Sequence, residues 1–246
     1  MRNQKCAPLS PSSTEEILIA IKYFSQASFK FLSQLEKNNS REWFNEHKQE
    51  YEDLVRSPAL DFIADMGDEI EAISSHFLAV PKKVGGSLMR PYRDVRFGKD
   101  KRPLKTNVGI QFRHFLAKDV HAPGFYLHIE PKGCFVGVGI WHPDGPALAR
   151  IRSAINEKPK DWIKVSRNKS FAGKFELVGS SLSNPPRGYK KDHPLIEDLK
   201  RKDFIGIAPL RDERVISNSL KTDVAKSFQT AIPYMKFLCK TLDLTF

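Results

Sequence analysis

The stretch "KTNVGIQFRHF" (residues 105–115) decides the fold class of this chain, because its apolar and polar residues alternate. In an extended chain, Val108, Ile110 and Phe112 fall on one side and Gln111 falls on the other. A period of two residues is typical of a β-strand with one buried face. The stretch therefore predicts a strand that covers an apolar core.

Three neighbouring segments show the same alternation. They are "YRDVRF" (residues 92–97), "GFYLHIEP" (residues 124–131) and "CFVGVGIWHP" (residues 134–143). Short connections between successive strands favour antiparallel pairing, with one face of the sheet on the core. The four segments together predict an antiparallel β-meander.

Helical patterns lie on both sides of this meander. Apolar residues recur at helical spacing between residues 28 and 73, which predicts an N-terminal pair of antiparallel helices. In this interpretation Asn39 caps a helix, and the dipeptide Ser57-Pro58 ends one helix and opens the next. Toward the C-terminus the pattern predicts helices at residues 142–159, 194–202 and 219–242, and strands at residues 173–179 and 203–210.

The predicted fold class is therefore α+β, with the helix pair packed on the meander and further helices and strands toward the C-terminus. Residues 1–23 begin with a polar, proline-bearing stretch and are predicted to be a variable, mobile lead-in. Residues 24–246 contain no convincing linker, so they are predicted to form a single domain.

Charge and composition limit the classes of function. The chain has 246 residues and a formal net charge of +11. Such a charge attracts polyanions, because bound phosphates release their counterions, but scattered solvated lysines give the same total. No apolar stretch approaches the ~18 residues that span a bilayer, and the N-terminus lacks the apolar region of a secretory signal.

The cysteines indicate a reducing compartment. Cys6, Cys134 and Cys239 are odd in number, far apart and not at metal-ligand spacing. We therefore predict free thiols in a soluble, cytoplasmic protein with no metal site, no cofactor and no membrane partner.

The polar face of the meander is the first candidate site. Asp94, Tyr126, His128 and Glu130 are predicted to project from this face. The candidates for catalytic proton transfer are Asp94, His128 and Glu130. Gly137 and Gly139 would leave the fourth strand open to a ligand on the same side. The alternative is a solvated face with ion pairs between strands.

The basic stretch "RPYRDVRFGKDKRPLKTN" (residues 90–107) is the second candidate. Arginine offers fork-shaped donors that suit phosphate and carboxylate groups, and lysine offers a mobile positive charge. This stretch therefore predicts a binding site for an anion. The predicted ligand-binding residues are Arg41, Arg93, Arg96, Lys101 and Lys105.

Arg93 carries a separate expectation, because alternation places it on the apolar face of the predicted strand. A buried arginine needs an acidic partner, and the adjacent Asp94 points to the opposite face. The N-terminal helices offer Glu42, Glu46 and Glu50 as partners.

Five stretches of the chain together resemble one family. They are "FLSQLEKNNSREWFNEHKQEY", "YRDVRFGKDKRPLKTN", "GFYLHIEP", "GIWHPDGPALARIRSAI" and "RGYKKDHPLIEDLKRKDF". In this order they are similar to the family catalogued as domain of unknown function 2461, from about residue 24 to the C-terminus. The resemblance implies a single α+β domain in a soluble, intracellular protein and assigns no reaction.

The resemblance also singles out positions in two motifs, one within residues 38–44 and one within residues 93–105. Those motif positions are Asn38, Asn39, Arg41, Trp43, Phe44, Arg93, Asp94, Arg96, Phe97, Asp100, Lys101, Pro103 and Lys105. Leu104 departs from the family pattern, which usually has an aromatic residue there. If that ring contacts a ligand in relatives, this chain binds its ligand differently.

Three functional hypotheses follow from these patterns. The leading one is a pocket for a small anionic ligand that carries phosphate or carboxylate, framed by the basic motif. The second is a nucleic-acid-associated module that uses the basic surface. The third is a structural ion network that clamps the helices onto the sheet, with the function elsewhere.

Overall fold

The computed structural model describes residues 23–96, 100–116 and 122–246. The helices are α1 (Gln26–Lys37), α2 (Arg41–Glu46), α3 (Lys48–Tyr51), α4 (Ser57–Asp65), α5 (Gly67–Ile73), α6 (Gly145–Glu157), α7 (Pro159–Ser166), α8 (Lys169–Ala172), α9 (Ile196–Lys200), α10 (Asp212–Val215), α11 (Leu220–Thr230) and α12 (Ile232–Thr241). The strands are β1 (Phe77–Leu78), β2 (Val108–His114), β3 (Gly124–Ile129), β4 (Phe135–Ile140), β5 (Glu176–Val178) and β6 (Phe204–Pro209).

In these three ranges the strands form one antiparallel sheet of six, in the order β1-β2-β3-β4-β6-β5. Strands β2, β3 and β4 are neighbours both in the chain and in the sheet, with Ile110 opposite Leu127 and Leu127 opposite Val136. This arrangement confirms the predicted meander at its centre and the α+β fold class.

One face of the sheet lies on the apolar core. Ile110, Phe112 and Phe125 are fully buried, and the ring of Phe228 in α11 lies 5.8 Å from Phe112 and 4.9 Å from Phe125. Helices α4, α11 and α12 contact the central strands on this side. Burial of these large side chains is the main source of stability for the packing of the helices on the sheet. The opposite face of the sheet does not pack against these three helices.

The strand predicted at residues 92–97 is wrong in its described part. Only a short pairing exists there: the Arg93 amide donates to the Pro103 carbonyl at 2.9 Å, and the Lys105 amide donates to the Pro91 carbonyl at 2.7 Å. Both prolines lack an amide hydrogen, so a regular ladder cannot continue through them. Phe97 lies outside the described residues. The first strand of the sheet is instead β1.

The expectation that Ser57-Pro58 ends a helix is also wrong. A π-helical turn, Glu52–Arg56, leads directly into α4, and the Ser57 amide donates to the Glu52 carbonyl. Proline normally clashes with the carbonyl four residues earlier in an α-helix. The wider π-helical turn changes the backbone at that point, so the chain stays helical through Pro58.

Asn39 has a different role from the predicted helix cap. Ser40 caps α2 by accepting the Trp43 amide, whereas the Asn39 side chain bonds to both backbone groups of Leu104. Its amide nitrogen donates to the Leu104 carbonyl at 3.1 Å, and its oxygen accepts the Leu104 amide at 3.0 Å. Because Leu104 is fully buried, these bonds attach the basic segment to the N-terminal helices.

The C-terminal half contains the predicted helices and strands, together with three helices that were not predicted, α7, α8 and α10. Asp144 caps α6 by accepting the Ala147 amide at 2.8 Å, and the long C-terminal helix is interrupted at Ala231, just before Pro233. Tyr23, the last residue of the predicted lead-in, is buried and donates to Asp65. Among the described helices, none is long and apolar enough to cross a membrane.

Candidate functional site

A cavity of about 370 Å³ lies on the sheet face opposite the core. Strands β2, β3, β4 and β6 all contribute residues to it. Its polar residues are Lys105, Asn107, Gln111, Tyr126 and His128, and its large apolar residues are Met89, Phe135, Val138, Trp141, Ile205 and Ile207. A mostly apolar wall with a few converging polar groups is typical of small-molecule sites.

Glycines make room for the Tyr126 ring in this cavity. Gly137 lies opposite Tyr126 in the sheet, and a Cβ atom at Gly137 would lie 3.4 Å from the ring. A Cβ atom at Gly109 would lie only 2.8 Å from the Tyr126 hydroxyl oxygen. Side chains at these positions would therefore displace the ring or narrow the cavity.

His128 stands at the centre of a hydrogen-bonded row along β3. Its Nε2 lies 3.2 Å from Glu130 Oε2, and its Nδ1 lies 3.0 Å from the Tyr126 hydroxyl. The imidazole stacks on the Phe135 ring, with centroids 4.5 Å apart. Thr106 donates its hydroxyl to the other Glu130 oxygen at 2.7 Å. The row places both imidazole nitrogens in hydrogen bonds.

The surroundings set the protonation of this row. Burial lowers the pKa of His128 below its ordinary value. Burial acts to raise the pKa of Glu130, but hydrogen bonds from Thr106 and His128 outweigh it, so that pKa is lowered. Burial, followed by the charge of Glu130, raises the pKa of Tyr126. The row at neutral pH therefore contains a carboxylate, a neutral imidazole and a protonated phenol.

These states fix the direction of each hydrogen bond. A carboxylate only accepts, so His128 Nε2 carries the imidazole hydrogen and donates it to Glu130. His128 Nδ1 then has a free lone pair, which accepts from the Tyr126 hydroxyl. The Asn107 amide nitrogen, 3.4 Å away, is a weaker second donor to the same atom.

Lys105 brings a positive charge to the cavity. Its side chain is half-buried, and burial, followed by the charges of Arg90 and Arg93, lowers its pKa. Among the carboxylates that the structure describes, none forms an ion pair with Lys105. A partly buried cation without an acidic partner would be stabilised by an anion beside it.

The other predicted site residues lie outside the cavity wall. Asp94 and Arg96 are exposed and pair with each other, with Arg96 Nη2 2.7 Å from Asp94 Oδ2. Hydrogen bonds from Arg96 lower the pKa of Asp94 to about 2. Lys101 donates to the Val95 carbonyl at 3.0 Å, and Arg41 is exposed on α2. Of the predicted set, His128 and Lys105 line the cavity, and Glu130 joins them through its hydrogen bond to His128.

Arg93 does not have the partner expected from the N-terminal helices. It pairs with Asp100, which also accepts the Arg102 side chain at 2.8 Å. The expectation failed because the segment is not a regular strand, so alternation does not bury Arg93. The carboxylate of Asp100, seven residues along the chain, is within reach instead. Leu104, the departure from the family pattern, faces the core and does not line the cavity.

Sequence reasoning missed part of the site. The Tyr126 hydroxyl was placed on the same face as His128, but its bond to the imidazole was not predicted. Ile205 and Ile207 enter the cavity because β6 pairs with β4. A strand 60 residues or more along the chain gives no local signal of this pairing, whereas the spacing of two between Tyr126, His128 and Glu130 does indicate one shared face.

Comparisons with known proteins agree with the sequence motifs. A family model described as a conserved hypothetical protein, DUF2461, matches residues 27–237. No curated protein and no solved structure matches the chain. The family match includes the basic segment, the central strands and the helices that cover them. The chain therefore belongs to the DUF2461 family.

Proposed function

We propose that the sheet cavity binds a small ligand with a flat apolar body and one carboxylate or phosphate group. The observation that carries this proposal is the half-buried Lys105 in an otherwise mostly apolar cavity. The volume of about 370 Å³ is within the usual range for small-molecule sites. The rings of Phe135 and Trp141 offer flat surfaces to such a ligand.

The anionic group of the ligand would lie beside Lys105. A charge-assisted hydrogen bond from the ammonium group would offset the cost of keeping this cation partly buried. Gln111 and Asn107 line the same cavity and offer neutral donors to a carboxylate or phosphate. The proposed ligand is therefore a small compound with one anionic group, whereas the net charge alone indicated any polyanion.

The basic motif supports the site indirectly in this proposal. Asp94 and Asp100 pair with Arg93, Arg96 and Arg102, so these arginines are engaged within the segment. Such pairing favours the structural ion network among the three hypotheses for the motif. We infer that the network, together with the bonds from Asn39, holds the segment that presents Lys105 to the cavity.

Nucleic-acid binding stays an alternative with a direct test. Binding to generic duplex DNA through free surface cations should weaken steeply with salt, in proportion to the number of phosphates neutralised. Because the motif arginines already have acidic partners, we expect only a shallow dependence. A steep slope that is lost on replacing Arg93 and Arg96 would support the nucleic-acid hypothesis instead.

Substitution Lys105→Met tests the proposed anion site. Benzoate and phenyl phosphate are suitable probes, because each joins a flat ring to one anionic group. Binding should raise the melting temperature of the unsubstituted protein by mass action. Loss of one charge-assisted hydrogen bond, about 1.5–3 kcal/mol, should reduce the affinity of Lys105→Met at least about tenfold. Unliganded stability should stay within about 1 kcal/mol.

Lys101→Met is the matched control, because Lys101 lies on the same segment but is exposed and outside the cavity wall. This variant should bind both probes with unchanged affinity. Binding should also weaken as the pH rises through the lowered pKa of Lys105, since only the ammonium form attracts the anion. Equal affinity of Lys105→Met and the unsubstituted protein would rule out the proposed anion site.

A further inference from the structure

We propose that Tyr126, His128 and Glu130 form a proton relay that opens into the sheet cavity. Tyr126 and His128 line the cavity, and Glu130, which directly follows β3, bonds to His128. The inference rests on the proposed function in one respect, because the bound ligand is the group whose proton moves. It adds an activity, general acid–base catalysis, to the binding of a small anionic ligand.

The hydrogen bonds in the row all have the direction that a relay needs. Thr106 donates to Glu130 and favours its carboxylate form, and this carboxylate accepts from His128 Nε2. The lone pair of His128 Nδ1 therefore faces the Tyr126 hydroxyl at 3.0 Å. This is the arrangement of a base that is oriented by an acid and aimed at a hydroxyl group.

The proton-transfer step does not form a phenolate at Tyr126. The Tyr126 oxygen takes a proton from the ligand while its own proton passes to His128 Nδ1. The electron pair of the broken bond stays on the ligand, and the new imidazolium is stabilised by the Glu130 carboxylate. The reverse step returns the proton to the ligand. Tyr126 is neutral before and after, which agrees with its raised pKa.

The charges around the row support this direction of transfer. Lys105 lines the same cavity and would stabilise negative charge on the ligand. Arg93 lies near enough to Glu130 to favour its carboxylate form. Asn107, Gln111 and the stacked Phe135 are neutral, and Phe135 shields one face of the imidazole from water. Thus Lys105 favours negative charge on the ligand, and Arg93 favours the carboxylate form of Glu130.

These requirements define the class of substrate. The ligand must carry a carboxylate or phosphate group for Lys105 and a transferable proton for Tyr126. A hydroxyl group, or a C–H bond made acidic by a neighbouring carbonyl, satisfies the second requirement. The reaction class is therefore proton abstraction from a small anionic compound, with Tyr126 as the catalytic residue that contacts it.

Covalent labelling of Tyr126 tests the relay without knowledge of the ligand. The probe is 4-methylbenzenesulfonyl fluoride, a small neutral aromatic compound. The Tyr126 oxygen forms a bond to sulfur, fluoride leaves with the electron pair of the S–F bond, and the phenol proton passes to His128. Mass spectrometry of peptides compares the rate at Tyr126 with that at Tyr92, which is 41% exposed.

The relay predicts at least tenfold faster labelling at Tyr126 than at Tyr92. His128→Gln should slow labelling of Tyr126 about 100-fold, in the range of general-base contributions, and Glu130→Gln about tenfold. Tyr92 should react equally in all forms, which checks that the variants are folded. In the unsubstituted protein the Tyr126 rate should rise with pH through the lowered pKa of His128, because only neutral imidazole accepts the proton.

Three results would overturn the relay. They are labelling of Tyr126 no faster than that of Tyr92, an undiminished rate in the folded His128→Gln or Glu130→Gln variant, and a rate that shows no inflection at acidic pH. If His128→Gln does not fold, Glu130→Gln and the pH profile still decide. Because the probe is uncharged, Lys105→Met should be labelled normally, so failure of the relay and failure of the anion site are distinguishable.

Discussion

Asp203→Ala should lower the free energy of unfolding by about 3–5 kcal/mol, the largest effect that we expect from removing a side chain. The Asp203 side chain is only 2% exposed. One oxygen accepts the His142 amide at 2.9 Å and lies 2.7 Å from His142 Nδ1. The other accepts the Ser180 amide at 2.8 Å and the Ser180 hydroxyl at 2.9 Å. Alanine would leave these donors without their acceptor.

The same side chain predicts a pH dependence of stability. Burial acts to raise the pKa of Asp203, but hydrogen bonds from Ser180 and His142 outweigh it and lower the pKa. A carboxyl group with a lowered folded-state pKa stabilises the fold above its unfolded pKa of about 3.9. This stabilisation is lost as the pH falls through the lower folded-state value. Asp203→Ala should lack this component of acid unfolding.

Urea unfolding at pH 7 and at acidic pH measures both effects of Asp203→Ala. The matched control is Asp61→Ala, because Asp61 is exposed on α4 and alanine is a good helix former. The control should change stability by less than about 0.5 kcal/mol. A loss below about 1 kcal/mol for Asp203→Ala would contradict the role of Asp203 as the acceptor that joins His142 to Ser180.

Gly139→Ala is the second substitution with a large expected effect, at about 3 kcal/mol or more. Gly139 has φ +116°, a conformation that side chains disfavour by about 1–3 kcal/mol. In addition, a Cβ atom would lie 2.1 Å from the Phe204 carbonyl oxygen on β6. Strands β4 and β6 would have to move apart, and hydrogen bonds between them would be lost.

Gly137→Ala is the matched control on the same strand. Its Cβ atom would meet only side chains, Tyr126 at 3.4 Å and Phe135 at 3.7 Å, and the backbone there needs no positive φ. We expect a change of about 1 kcal/mol or less in stability, together with weaker probe binding because the cavity is smaller. Urea unfolding of both variants gives the comparison. Similar losses for the two would show that the approach of β6 to Gly139 is not the constraint.

The central strands and half of the site could be predicted from the sequence for a physical reason. In β3 and the second half of β2 burial alternates from residue to residue, so local alternation reports the tertiary environment directly, whereas in β4 every residue after Phe135 is buried. The same rule places Tyr126, His128 and Glu130 on one face, because they are two residues apart. The family resemblance indicated which residues belong to the domain, but it assigned no reaction.

Other features depend on contacts between distant residues and have no local signal. The bonds of Asn39 to Leu104 join residues 65 positions apart, and the pairing of β6 with β4 encloses the cavity. Alternation in residues 92–97 was misleading, because Asp94 and Asp100 pair with arginines inside the segment and the prolines interrupt the ladder. The sequence alone therefore overestimated the direct role of the basic motif in the site.

The position of bound benzoate tests the central claim of a sheet cavity that binds an anion. Two-dimensional NMR of the ¹⁵N-labelled protein can follow backbone amides during a titration to about 10 mM, since a fragment of this size should bind near 1 mM. We predict saturable shifts at Gln111, Tyr126, His128 and Gly137. Shifts confined to residues 90–102, or none at 10 mM, would contradict the account.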